Sequence, residues 1–160
     1  MKRYIILLCL GMATFFKGWA QDSSHVPTQK TVIFICDHGA FKSVVAAAAF
    51  NKMAKEQGLP VNAVARGVDP GKEIAANALN GLKLDNIPNY TLVPQKLSNE
   101  ELAKASYVVA LCTLPKDYNR PLHFEDWNKI PLINGNYANF RDSVLPSIRL
   151  LINNLKEGNY

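Results

Sequence analysis

The run Thr31-Val32-Ile33-Phe34-Ile35-Cys36-Asp37-His38-Gly39-Ala40-Phe41-Lys42-Ser43, followed by Ala-rich residues 44–50, is where the rest of the chain can be anchored. A β-branched apolar run ends in a cysteine. A short turn, a cation and a serine follow, and then a helical run begins. This predicts a strand, a loop and a helix start, with a thiol at the loop's entrance. The strand is continuously apolar rather than alternating, as in a parallel sheet covered on both faces. Such a loop turns successive backbone N–H groups inward, and the helix N-terminus adds partial positive charge. The product is an oxyanion cradle with a thiol at its base. Thiols in that field lose their proton readily and become nucleophiles.

Outward from this centre, helix is expected over 43–57, with Gly58 as its stop. Strand is expected at 61–65, helix at 73–84, and a short helix capped by Ser98 with Glu100 and Glu101 in its first turn. Residues 107–112 and 130–133 read as a third and a fourth strand. Residues 139–155 read as a closing helix, interrupted or kinked at Pro146. Strands alternating with helices imply an α/β domain with a parallel sheet and right-handed crossovers. Ligands of such sheets bind beyond the carboxyl ends of the strands, where Cys36, Arg66 and Cys112 all fall.

Residues 1–20 are expected to stand outside the fold. Lys2 and Arg3 precede an apolar core from Ile5 to Leu10, and Gly18-Trp19-Ala20 supplies small residues at the two positions a signal peptidase reads. The reading is a cleaved leader (1–20), a flexible polar lead-in (21–30) and one domain over 31–158, exported to the periplasm or secreted. The 160 residues carry a formal charge of +5, and loss of Lys2, Arg3 and Lys17 with the leader lowers it to +2. That balance, without any Lys/Arg run, does not suit nucleic acid. No membrane contact is expected once the leader is gone. Cys36 and Cys112 then remain, enough for one bridge, and no Cys/His spacing suits zinc. Neither metal nor cofactor is called for.

The string Cys36 to Ser43 resembles the Cys-(five residues)-Arg-Ser loop of low-molecular-weight protein tyrosine phosphatases. It is closer still to the related thioredoxin-linked arsenate reductases, which often read Cys-x-His-Asn-Ala-Gly-Arg-Ser before an Ala-rich helix. The resemblance continues through Arg66-Gly67-Val68-Asp69-Pro70-Gly71, through residues 97–112, and through His123-Phe124-Glu125-Asp126. It therefore covers nearly the whole expected domain. It implies a small three-layer domain, helices on both faces of a four-stranded parallel sheet in the order 2-1-3-4. The departures are Lys42 for the family's loop arginine, Gly39 for its asparagine, bulky Phe41, and Trp127 where proline is usual.

The resemblance implies Cys36 as nucleophile toward phosphate or arsenate. It makes Asp37, His38, Gly39, Ala40, Phe41, Lys42 and Ser43 the cradle, through their backbone, and gives Ser43 a hydrogen bond to the thiolate. Lys42 supplies the cation but not the bidentate fork of a guanidinium. Losing one preorganised stabiliser typically costs about 10²–10³ in rate. Arg66 is expected to reach across and replace that fork. Asp126 matches the general acid, with Glu125 and Asp117 as competitors, and Trp127 could line a substrate mouth. Cys112 aligns with a resolving cysteine, so Cys36 and Cys112 form a redox candidate.

Three readings stay open at this point. One is an exported phosphatase or arsenate reductase of attenuated activity. Another is an oxyanion-binding pseudo-phosphatase. The last is a thiol redox protein built on Cys36 and Cys112. The expected partners are phosphate, arsenate or a phosphorylated substrate, with a thiol reductant for the arsenate chemistry.

Overall fold

The computed structural model describes residues 30–89 and 91–158. The expected leader and nearly all of the lead-in lie outside the described residues. Strand β1 (Lys30–Cys36) is followed by helix α1 (Lys42–Glu56), strand β2 (Val61–Gly67) and helices α2 (Ala76–Leu84) and α3 (Asn99–Lys104). Strand β3 (Tyr107–Ala110), strand β4 (Phe124–Asp126), a 3-10 turn (Ile133–Gly135) and helix α4 (Tyr137–Glu157) complete the chain.

The sheet has four strands in the order β2-β1-β3-β4, every pair parallel. Side chains alternate across it. On one face Val32, Phe34 and Cys36 pack with Val109 and Leu111 under α1, α2 and α4. On the other, Ile33, Ile35, Val108 and Cys112 pack with Leu102 of α3. Helices thus cover both faces, and the central strands are apolar throughout for that reason. The alanines of α1 are buried from Ala46 to Ala49, so the helix backbone lies close to the sheet. Ser98 accepts a hydrogen bond from the Glu101 N–H at 3.2 Å and caps α3 as expected.

Three expectations need correction. The fourth strand is Phe124–Asp126, not 130–133; the later stretch gives a loop and a 3-10 turn. Pro131 has no N–H for a ladder, whereas Phe124, Glu125 and Asp126 pair with Val108, Val109 and Ala110. Helix α2 begins at Ala76 rather than 73, because the Ala75 N–H is already committed to the Ala40 carbonyl at 3.0 Å. Helix α4 runs through Pro146 without interruption, on a solvent-facing position.

Helix α2 is held to α4 by Tyr137, whose hydroxyl donates to Asp85 at 2.8 Å, with Arg141 on the same oxygen at 2.6 Å. The ring lies flat against Gly81: a Cβ there would meet Tyr137 Cγ at 2.1 Å. Helix propensity alone favours Gly81→Ala by about 1 kcal/mol. The clash reverses the sign, and a urea titration is expected to show Gly81→Ala less stable than the parent.

Candidate active site

The cradle is built by two segments that zip together. The carbonyls of Cys36, Asp37, His38 and Ala40 accept from the N–H groups of Val68, Asp69, Gly71 and Ala75 at 3.1, 2.9, 3.0 and 3.0 Å. With its carbonyls drawn toward the 68–75 segment, the loop leaves its N–H groups for the other side. Among the described residues, no backbone N–H of 37–43 donates to a protein acceptor. Gly39 lies at φ 61°, and a Cβ on it would stand 2.8 Å from the Gly67 nitrogen. Two glycines therefore let backbone meet backbone. Gly67 was absent from the sequence-based site, although a glycine closing an apolar strand was the available hint.

At the base, Cys36 Sγ lies 3.0 Å from Ser43 Oγ, with Cys36 4% exposed and Ser43 fully buried. The hydroxyl is placed to donate to a thiolate. Phe41 caps the start of α1 and packs edge-on against Phe140 of α4, ring centroids 5.9 Å apart. Its bulk points into the core and anchors the loop. His38 Nδ1 lies 3.0 Å from the Asp69 carbonyl oxygen.

Lys42 is the first residue of α1, where a cation opposes the helix dipole. Its ammonium donates to the Leu111 carbonyl at the end of β3 and lies 4.0 Å from Asp37 Oδ2. The cation therefore has protein partners of its own.

Arg66 does not supply the missing fork. It pairs with Ile35 in the β1–β2 register and so lies on the sheet face opposite Cys36. Its Nε and Nη2 donate to Glu101 Oε1 at 2.8 and 2.6 Å, and its Nη1 to the Ala65 carbonyl at 2.8 Å. Burial pushes the Glu101 carboxyl up, but the Arg66 guanidinium and the Ser98 donors outweigh it and hold it below the ordinary value.

Asp126 ends β4, exposed, and its Oδ1 accepts from the Asn128 N–H at 2.9 Å. Glu125, its competitor, is spent: the Tyr107 hydroxyl donates to one oxygen, and the Trp127 indole to the other at 2.6 Å. Trp127 is buried against Phe34, centroids 5.8 Å apart, and does not line a mouth. The Trp127 N–H also donates to the Ala110 carbonyl at 2.7 Å. This clamp holds the backbone on either side of Asp126. Asp117 is exposed on the loop after β3.

Cys112 is a free, buried thiol, as is Cys36. They sit in different apolar clusters, on opposite faces of the sheet. Burial pushes the Cys112 thiol up to about 12, helped by the charges of Asp37, Cys36 and Asp126 and opposed by Lys42. Among the described residues, no three His, Cys, Asp or Glu side chains are grouped to hold a metal, and no helix is long and apolar enough to cross a membrane.

Residues 31–144 match the model of the low molecular weight phosphotyrosine protein phosphatases. No curated protein matches the chain at a significant level. Among solved structures, YfkJ from Bacillus subtilis superposes with a TM-score of 0.69 at 18% identity, covering 81% of this chain and 97% of its own. A low molecular weight protein tyrosine phosphatase from Bacillus subtilis gives 0.68 at 20% identity, covering 81% and 99%. A thioredoxin-dependent arsenate reductase from Corynebacterium glutamicum gives 0.66 at 20% identity, covering 83% of this chain and 65% of that one.

Two outcomes follow from this geometry. Arg66→Met is expected to leave phosphate affinity unchanged in a calorimetric titration while lowering the melting temperature. A depressed carboxyl stabilises the fold above the ordinary carboxylate range and loses that contribution as pH falls through its folded value. The Arg66→Met variant should accordingly lose less stability on acidification than the parent does. Separately, iodoacetamide on the native reduced protein is expected to spare Cys112 at neutral pH, where a thiol with a pKa near 12 holds almost no thiolate. Peptide mass spectrometry, with an unfolded control that labels fully, would read this.

Proposed function

We propose, for a chain that belongs to the low molecular weight phosphotyrosine protein phosphatase family, that it binds a tetrahedral oxyanion in the 37–43 loop and attacks it with Cys36. The observation that carries this reading is the buried Cys36–Ser43 contact of 3.0 Å beneath a row of unclaimed N–H groups. Phosphate, arsenate and the phosphoryl group of a substrate share the shape and charge such a cradle takes.

In the reaction proposed, the Cys36 thiolate forms a sulfur–phosphorus bond as the bond to the leaving oxygen breaks. Asp126, protonated, gives its proton to that oxygen. Ionised Asp126 then takes a proton from water as the water attacks phosphorus, and the sulfur leaves as thiolate, stabilised by the Ser43 hydroxyl. The backbone donors hold the equatorial oxygens throughout. Arsenate occupies the same place, and its reduction calls for an external thiol. An export leader at 1–20 belongs to this proposal, which puts the chemistry in the periplasm or outside the cell.

One observation favours binding with little turnover. The Lys42 ammonium, standing where the family has arginine, is engaged by the Leu111 carbonyl and faces Asp37. A point charge already shared in this way stabilises the transferring group less than a free fork.

The deciding experiment is hydrolysis of an aryl phosphate by the fully reduced protein, with Cys36→Ser and Lys42→Arg alongside. Cys36→Ser is expected to abolish turnover while retaining phosphate binding, and Lys42→Arg to raise the rate by about tenfold or more. Turnover by neither the parent nor Lys42→Arg, with phosphate still bound, would leave an oxyanion-binding protein.

A further inference from the structure

We propose that Asp37 makes the cradle select tetrahedral anions that still carry a proton, such as hydrogen phosphate and hydrogen arsenate, over those that carry none, such as sulfate. The inference rests on the reading of residues 37–43 as an oxyanion cradle and names the class of anion it takes.

Asp37 follows the thiol directly. Its backbone is fixed, because its carbonyl accepts from the Asp69 N–H at 2.9 Å. Its side chain is 64% exposed and, among the described residues, makes no hydrogen bond to the core. The carboxylate lies 4.0 Å from Lys42 Nζ, the cation of the loop. That ammonium is divided between Asp37 and the Leu111 carbonyl. The one other ionisable side chain within 37–43, His38, is turned to the Asp69 carbonyl. Nearby, Cys36 adds negative charge when ionised, and Asp126 and Asp37 both bear on Cys112. Within 37–43, Lys42 and Asp37 therefore offset one another. Attraction comes from the backbone donors.

Beside the loop's cation stands an acceptor, the Asp37 carboxylate, 4.0 Å from Lys42 Nζ. An ionised carboxylate accepts hydrogen bonds and donates none. An anion seated next to it fits when it offers an O–H. Phosphate and arsenate keep a proton near neutral pH and can donate to Asp37. Sulfate has none, so it leaves acceptor facing acceptor. The same rule ranks phosphate esters: the singly ionised form can donate to Asp37, and the doubly ionised form cannot. A family arginine at position 42 would outweigh this with two fixed donors, whereas the shared lysine leaves Asp37 able to decide.

The test is calorimetric titration of the reduced protein with phosphate, arsenate and sulfate, using the parent, Asp37→Asn and Asp37→Glu. The parent is expected to bind phosphate and arsenate about tenfold or more tightly than sulfate. Asp37→Asn, whose amide can donate, is expected to close most of that gap, chiefly by gaining sulfate. Asp37→Glu is expected to keep the preference. The exposed side chain makes the variants' melting temperatures match the parent's, so the comparison reads the site. An equal phosphate-to-sulfate ratio in the parent and Asp37→Asn would overturn the inference and leave the cradle standing. A parent that binds none of the anions would overturn the cradle and the inference together.

Discussion

The backbone zip between 36–40 and 68–75 is the constraint on which the site depends. Four carbonyls of the loop are satisfied on one side by the N–H groups of Val68, Asp69, Gly71 and Ala75. A peptide unit that points its carbonyl one way points its N–H the other, so the zip orients the donors before any ligand arrives. It also delays α2 until Ala76 and brings the end of β2 against the loop at Gly67. Preorganised donors cost no rearrangement when an anion binds, which is the physical basis of oxyanion stabilisation. The thiol, the serine and the first turn of α1 are positioned by the same frame.

Charge is distributed around this frame economically. Arg66, the guanidinium nearest in sequence to the cradle's second segment, is consumed by Glu101 on the far face of the sheet. Lys42 is drawn toward the end of β3 and toward Asp37. Glu125 is consumed by Tyr107 and Trp127, which leaves Asp126 as the exposed carboxylate at the end of β4. The indole clamp stands where the family usually has proline, and it restrains the backbone by hydrogen bonds instead of by a ring.

Much of this was legible in the residues. The run from Val32 to Cys36 is apolar because both faces of β1 are covered, and that pattern marks the central strand without further help. The cysteine, the Ala-rich helix and the order of segments placed the loop, and the parallel order β2-β1-β3-β4 agrees with what the resemblance implied. What escaped was what depends on partners distant in sequence. Strand β4 is three residues long and two of them are charged, so it has no periodicity of its own, and Ile130-Pro131-Leu132-Ile133 looked more like a strand than it is. Arg66 does stand at the strand end, but it lies on the face opposite Cys36, which the expected reach to the cradle did not take into account. The alternation of Ala63 and Ala65 toward α1 held the parity that puts Arg66 opposite Cys36. The Leu111 carbonyl as a partner for Lys42 left no trace in the sequence, because any residue offers a carbonyl.

The contact between Gly39 and Gly67 has a consequence for how such a site can diversify. At 2.8 Å from a built Cβ to a backbone nitrogen, there is no side chain to trim or enlarge. At this contact the spacing of the two segments is set by main-chain geometry, like a gauge machined into the scaffold. Drift in the sequence can recolour the rim with new charges, but a side chain at either glycine would force the two segments apart. A lineage carrying this scaffold would change its ligand by altering charge and proton count, while the spacing at this contact stayed constant.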